Sequence, residues 1–217
     1  MVHEFIVACK ENDLNTIQQM THMVDMNEGF IWACSYGHID VVRYLVQNTN
    51  INIHARDEEG FIWACKNGHI DVVKYLVPLG VDIHAQYEEG FIWACNNGHI
   101  DVVRYLVQNT DINIHVRKEE GFRWACSNGK IDVVQYLVQN TDIDIHAICE
   151  EGLMWAWWSG HIDVVRYLVN FMQCVKYRKL NKISQFMPDT CYQWTRKNTY
   201  FINVGKYMNH LNYNFIL

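Results

Sequence analysis

Five tryptophans stand at an almost constant spacing and define a repeat that runs through most of the chain. Steps of 31, 30, 31 and 31 residues separate the members of this tryptophan column: Trp32, Trp63, Trp93, Trp124 and Trp155. The stretch from Glu59 to Val77 recurs almost letter for letter at 89–107 and 120–138, and in related form at 28–46 and 151–169. A fixed period of 20–50 residues is typical of a solenoid of stacked supersecondary units.

Each unit is predicted to contain two short helices. Phe61, Ala64 and Cys65 have the i, i+3, i+4 spacing of one helical face, and Gly68 is suited to end that helix in a left-handed conformation. Neither helix is long enough to be stable alone in water, so its apolar face must be covered by neighbouring units. The second helix is expected to bury Ile70, Val73, Leu76 and Val77.

The residue pattern of the unit resembles the ankyrin repeat. The string A-C-K-N-G-H-I-D-V-V-K-Y-L-V from Ala64 to Val77, followed by Gly80-Val81-Asp82-Ile83, matches that family's pattern. Its Thr-Pro-Leu-His opening is replaced by Glu59-Gly60-Phe61-Ile62, and His84 stands where Asn is usual. The resemblance implies an all-α, helix-turn-helix solenoid with short connecting hairpins. The variants are similar to the ankyrin proteins that giant DNA viruses encode in large sets.

The repeats divide the chain into an array and a tail. We expect a degenerate N-terminal capping unit at 1–27, repeats at 28–57, 58–87, 88–118 and 119–149, a diverged last repeat at 150–172, and a tail at 173–217. The tail is aromatic and has seven basic residues and one acidic residue, leaving 11 basic and 23 acidic for the array. It is a C-terminal cap, a disordered extension or a decayed continuation of the array; the sequence leaves these open.

One cysteine column predicts free thiols. Cys9, Cys34, Cys65, Cys95 and Cys126 occupy equivalent positions. Packed helices lie about 8–10 Å apart, whereas a disulfide needs Cα atoms within about 7 Å. We therefore expect buried, reduced cysteines, which favour an intracellular location, in a host cytoplasm. No apolar run approaches the roughly 18 residues of a membrane span, and Met1-Val2-His3-Glu4-Phe5 lacks the basic region of a signal peptide.

Histidines and carboxylates recur once per unit, which argues against catalysis. A zinc site needs three or four ligands around one metal, and single ligands spread along a stack do not converge. The histidines are expected to form hydrogen bonds or lie on the surface: His38, His69, His99 and His161 in one register, and His54, His84, His115 and His146 in the other. Adjacent carboxylates such as Glu58-Glu59 are one arrangement that acid–base catalysis uses. Because such pairs are repeated, we interpret them as charges that the helix dipole favours at the start of each first helix.

The function expected from the resemblance is non-catalytic protein–protein binding. Nucleophile-elbow, phosphate-loop and metal motifs are absent from the sequence, so we expect no enzyme activity, cofactor, metal or small-molecule substrate. The tryptophan column either packs between successive first helices or forms a partly exposed ladder of aromatic anchors. Nucleic acid is disfavoured by the acidic array, although the basic aromatic tail is an alternative site for it or for an anionic surface.

Candidate binding residues are those that differ between otherwise identical units. Packing dictates the rest of the unit, so variable side chains should point outward. At the hairpin tips these are Arg56, Asp57, Gln86, Tyr87, Arg117 and Lys118, and on the first helices they are Tyr36, Lys66 and Arg123. A second alternative is an adaptor for a ubiquitin ligase, for which Phe186-Met187-Pro188-Asp189 is the one weak signal. We expect a monomer.

Overall fold

The computed structural model describes residues 2–20 and 26–180, and over these ranges the chain contains helices and turns but no strand. The prediction of an all-α fold is confirmed. The helices are α1 (Val2–Glu11), α2 (Leu14–Met20), α3 (Asn27–Tyr36), α4 (Ile39–Asn48), α5 (Ala55–Asn67), α6 (Ile70–Leu76), α7 (Ala85–Asn97), α8 (Ile100–Asn109), α9 (Val116–Ser127), α10 (Ile131–Asn140), α11 (Ala147–Trp158) and α12 (Ile162–Leu180), with a short 3-10 helix at Val77–Leu79.

Odd-numbered helices are the first helices of their units, and even-numbered helices are the second. From α1 to α11, each first helix packs against the first helix of the next unit, and α1, α3, α5, α7 and α9 also pack against the second helix of their own unit. Residues 1–170 form one compact unit, and residues 171–217 group separately. The predicted start of the tail at residue 173 lies within α12.

The core is a column of phenylalanines and cysteines along the first helices. Phe61, Ala64 and Cys65 are fully buried, as their spacing predicts, and the equivalent residues of the neighbouring units are buried with them. A Cβ built on Gly60 would lie 2.8 Å from Cε1 of Phe30. Glycine at this position therefore lets successive first helices approach closely enough to enclose the phenylalanine.

The buried face of the second helix differs from the prediction. Val72, Val73 and Leu76 are fully buried, whereas Ile70 and Val77 are half-buried. The reason is that α6 contacts both its own first helix and the second helices α4 and α8 of the adjacent units. Two packing directions require a wider face, which is centred on Val72 and Val73.

The glycine that ends each first helix adopts the predicted left-handed conformation. Gly68 has φ 79°, and its N–H donates to the carbonyl of Cys65 at 3.2 Å. The next N–H, of His69, donates to the carbonyl of Ala64 at 2.9 Å. These bonds satisfy carbonyl groups that a helix end leaves without intrahelical partners. In the N-terminal unit Asn12, with φ 61°, takes this position.

Candidate protein-binding surface

The predicted hairpin tips are turns of three successive left-handed residues, which interrupt α5, α7 and α9 one residue after each helix begins. Arg56, Asp57 and Glu58 have φ values of 53°, 54° and 67°, and the same turn recurs at 86–88 and 117–119. Residues other than glycine are disfavoured in this conformation by about 1–2 kcal/mol each. Such a turn persists only where surrounding contacts stabilise it. Its first two side chains are exposed and its third is buried.

The buried third residue is a glutamate held by a histidine four positions earlier. Nδ1 of His54 lies 2.6 Å from Oε1 of Glu58, and the equivalent distances are 2.9 Å for His84 and Glu88 and 2.8 Å for His115 and Glu119. A carboxylate accepts, so Nδ1–H of the imidazole donates. The first carboxylate of each pair lies in the first turn of its helix, as expected, and its bond to the histidine also closes the left-handed turn.

Two of these histidines also reach the next unit. Nε2 of His84 lies 3.4 Å from Oδ1 of Asp111, and Nε2 of His115 lies 3.2 Å from Oδ1 of Asp142. The hydrogen bond that His84 donates to Glu88 raises the pKa of His84 above its usual range, and the bond from His115 to Glu119 does the same for the pKa of His115. The sequence signal for the histidine–glutamate contact is the repeated His-x-x-x-Glu spacing.

The six predicted tip residues are all exposed, and neighbouring tips touch. Tyr87 projects furthest, with 69% of its surface exposed. Nε2 of Gln86 donates to the carbonyl of Asp57 at 3.3 Å, and the guanidinium carbon of Arg117 lies 5.1 Å from the centroid of the Tyr87 ring. The tips therefore form a continuous row across units. Their exposure agrees with the sequence, and their role in binding stays a prediction.

The tryptophan column combines the two alternatives that the sequence left open. Four of its five side chains are half-buried, and the fifth, Trp124, is exposed over 38% of its surface. Three indole N–H groups donate to a glutamate four residues earlier: Trp63 to Glu59 at 3.2 Å, Trp93 to Glu89 at 2.9 Å and Trp124 to Glu120 at 3.3 Å. Carboxylates thus line one edge of the aromatic column.

Cationic side chains of the chain itself cover several of these rings. Nζ of Lys66 lies 4.4 Å from the Trp63 ring centroid and 4.0 Å from that of Trp93, so it sits between consecutive rings. Nζ of Lys10 lies 3.6 Å from the Trp32 centroid, and the exposed Tyr36 ring lies 6.1 Å from Trp32. The predicted first-helix residues Tyr36 and Lys66 therefore lie along the tryptophan column.

Arg123 does not point outward as predicted, because it is 91% buried. Its Nε donates to the carbonyl of Lys118 at 2.9 Å, its Nη2 donates to the carbonyl of Arg117 at 3.1 Å, and its Nη1 pairs with Glu151. The guanidinium carbon also lies 5.4 Å from the Trp155 ring centroid. Arg123 thus joins a tip to the next unit, and it is withdrawn from the candidate binding residues.

The histidines that follow the helix-ending glycines connect successive units. Nε2 of His38, His69 and His99 lies 2.7–2.9 Å from a backbone carbonyl of the preceding unit, to which it donates. The expectation of hydrogen-bonding histidines is confirmed for these three. Over the described ranges, no group of three histidine, cysteine or acidic side chains is placed to hold a metal ion. Within the same ranges, every helix is too short or too polar to cross a membrane.

Comparison with known proteins agrees with this geometry. The family described as ankyrin repeats (3 copies) matches residues 5–87 and 91–179. A search among curated proteins finds no match. The matched segments cover most of the chain, and proteins with such repeats generally bind other proteins through them. The chain belongs to the ankyrin-repeat family.

Proposed function

We propose that the chain is a non-catalytic scaffold that binds a partner protein through its row of tips and its tryptophan column. The observation that carries this proposal is that the two features are joined. Oε2 of Glu59 lies 3.5 Å from Nη1 of Arg56 at a tip, while Oε1 of the same glutamate accepts the indole N–H of Trp63. Glu120 joins Arg117 to Trp124 in the same way, at 3.3 Å on each side.

The resulting surface has the composition of a protein-binding site. It presents aromatic rings, arginine and tyrosine side chains, which are enriched among residues that dominate binding energy. These side chains stand on a framework whose core repeats from unit to unit, so their spacing is regular. Because the tips differ in chemistry while the framework does not, the row is suited to one extended partner surface.

The test uses a partner recovered by affinity capture and then measured directly by calorimetry. Replacing Tyr87, Arg117 and Lys118 together with Ala should weaken binding by about 2 kcal/mol or more, or roughly 30-fold. The melting temperature should barely change, because exposed substitutions usually cost within about 0.5 kcal/mol. The charge-matched control replaces Lys74, Arg104 and Gln108, which are exposed on second helices, and should bind normally.

The tail-based alternatives lie outside the described residues, except that 173–180 belong to α12. These are the nucleic-acid or anionic-surface site in the basic aromatic tail and the ubiquitin-ligase segment at Phe186–Asp189. The triple alanine variant of Tyr87, Arg117 and Lys118 is called the tip variant. Full binding by the tip variant, together with loss of binding on deleting residues 181–217, would contradict the scaffold proposal and favour one of the two tail-based alternatives. A giant-virus origin, an intracellular location and a monomeric state stay predictions. The buried free thiols support the intracellular location.

A further inference from the structure

Lys66 shows how the tryptophan column accommodates a cation. It follows the buried Cys65, and its ammonium lies within 4.4 Å of the centroids of Trp63 and Trp93. Lys10, at the equivalent position of the N-terminal unit, covers Trp32 in the same way. A cation over an indole face is attracted by the ring quadrupole, and tryptophan is the best of the aromatic side chains for this contact.

At the next step of the column, from Trp93 to Trp124, the described residues place no such cation. The position equivalent to Lys66 is Asn96, whose amide donates to Asn97 and accepts from Asn128, each at 2.8 Å. Within the described part of the chain, Lys66 is the one cation over Trp93, and it lies on the side of the preceding unit. The following step is closed, because the Trp124 and Trp155 centroids are 5.5 Å apart.

The carboxylate beside this step also lacks a cation. Glu59, Glu120 and Glu151 each pair with an arginine: Arg56, Arg117 and Arg123. At Glu89, Gln86 stands where Arg56 and Arg117 stand in the other units. Among the residues that the structure describes, Glu89 therefore makes no ion pair, although one of its oxygens accepts the indole N–H of Trp93.

We infer that the step between Trp93 and Trp124 binds a lysine or arginine side chain of a basic peptide segment, with Glu89 as the counter-charge. This inference rests on the proposed function and names the chemistry of the partner. At Trp93, a ring over which the described residues place a cation only on the side of the preceding unit meets a carboxylate that makes no ion pair with them, and both groups attract a cation. The array has 11 basic and 23 acidic residues, so its long-range field also favours a basic partner.

The experiment monitors the tryptophan indole N–H signals of the full-length chain by NMR. The probe is a short glycine–serine peptide that carries two lysines, and its counterpart carries acetyl-lysine instead. The lysine peptide should shift the signals of Trp93 and Trp124, and the acetylated peptide should not, because acetylation removes the charge. Asn96→Lys supplies a cation from the chain itself and should lower the affinity for the lysine peptide about fivefold or more.

Two further variants separate this site from general charge attraction. Glu89→Gln keeps an acceptor for the Trp93 indole and removes the charge, so it should also weaken the probe. Ser127→Lys adds the same charge as Asn96→Lys one unit further along, where Trp124 and Trp155 are already in contact, and should change affinity less than about twofold. Lys66 at the equivalent position indicates that the fold tolerates lysine there.

Three outcomes of the peptide experiment would each overturn the inference. These are equal weakening by Asn96→Lys and Ser127→Lys, equal binding of the acetylated peptide, and unshifted Trp93 and Trp124 signals at millimolar probe. The proposed function is tested separately. A partner that is lost by the tip variant but unaffected by Asn96→Lys would preserve the scaffold and overturn the lysine site.

Discussion

The imidazole of His69 lies directly over Gly37 of the preceding unit. A Cβ placed on Gly37 would be 2.3 Å from Nδ1 of His69, and Nε2 of the same ring donates to the carbonyl of Ser35 at 2.9 Å. The same arrangement holds for His99 over Gly68, with a Cβ distance of 2.4 Å. Each of these glycines is therefore required twice, for its left-handed φ and for the space that the next unit's histidine occupies.

This double requirement predicts unequal effects of alanine at two equivalent glycines. Gly68 faces the rigid His99 ring, whereas the atom nearest to a Cβ on Gly98 is Cδ of Lys130, at 2.8 Å, on a side chain that can move. Both substitutions carry the left-handed penalty of about 1–2 kcal/mol. Gly68→Ala should lower the free energy of unfolding, measured with urea, by clearly more than Gly98→Ala. Equal losses of unfolding free energy in the two variants would show that the contact between the added Cβ and His99 has no energetic effect.

Cysteine reactivity should be suppressed in the native state. Burial raises the pKa of Cys9 to about 12 and that of Cys95 well above its usual range, so little reactive thiolate forms at neutral pH. We expect the five column cysteines to react with a thiol reagent only after denaturation, as followed site by site with mass spectrometry. Tyr87→Cys provides an exposed thiol as the control. Native labelling of Cys65 at the rate of this control would contradict a buried core.

The histidine–glutamate contacts predict a loss of stability at alkaline pH. The bonds to Glu88 and Glu119 raise the pKa of His84 and His115 in the folded chain. A raised pKa means that the stabilisation is fully present below the unfolded value of about 6.5 and is lost as pH rises through the folded value. Asp82 and Asp111 act on His84 in the same direction.

The measurement compares the parent with a variant in which His84 and His115 are both Asn. Its free energy of unfolding should decrease less than the parent's between pH 6 and pH 9. His99 contributes with the opposite sign, because burial lowers its pKa, and it is unchanged in both proteins. Parallel pH profiles of the parent and the variant would contradict the role given to these contacts.

Arg123 should behave as a buried residue. Arg123→Ala leaves a cavity and an unpaired Glu151, and we expect a loss of about 3 kcal/mol in the free energy of unfolding. Arg123→Ile restores the residue found at Ile62 and Ile92, both buried in their own units. It should therefore cost less than the alanine variant. Urea unfolding measures the loss of stability in each variant. If neither variant lost stability, Arg123 would not be the buried residue described here.

The sequence alone determined the repeating framework. Apolar residues at i, i+3 and i+4, such as Phe61, Ala64 and Cys65, and a glycine at the helix end are local patterns that specify helices and their stops. A period of about 31 residues then requires that the helices stack, because neither buries its apolar face alone. The exposure of the six tip residues followed from their variation between otherwise identical units, although the same reasoning was wrong for Arg123.

The tertiary structure decided what each side chain meets in the neighbouring units. Arg123 occupies the place of a buried isoleucine, and its partners come from the tip and from Glu151, 28 residues away. Glu58 is buried because a left-handed turn directs it to His54, although its neighbour Glu59 is part-exposed. Helical periodicity places a side chain on a face of its own helix. Whether that face is covered depends on contacts with residues about one repeat away. The local sequence pattern does not specify these contacts.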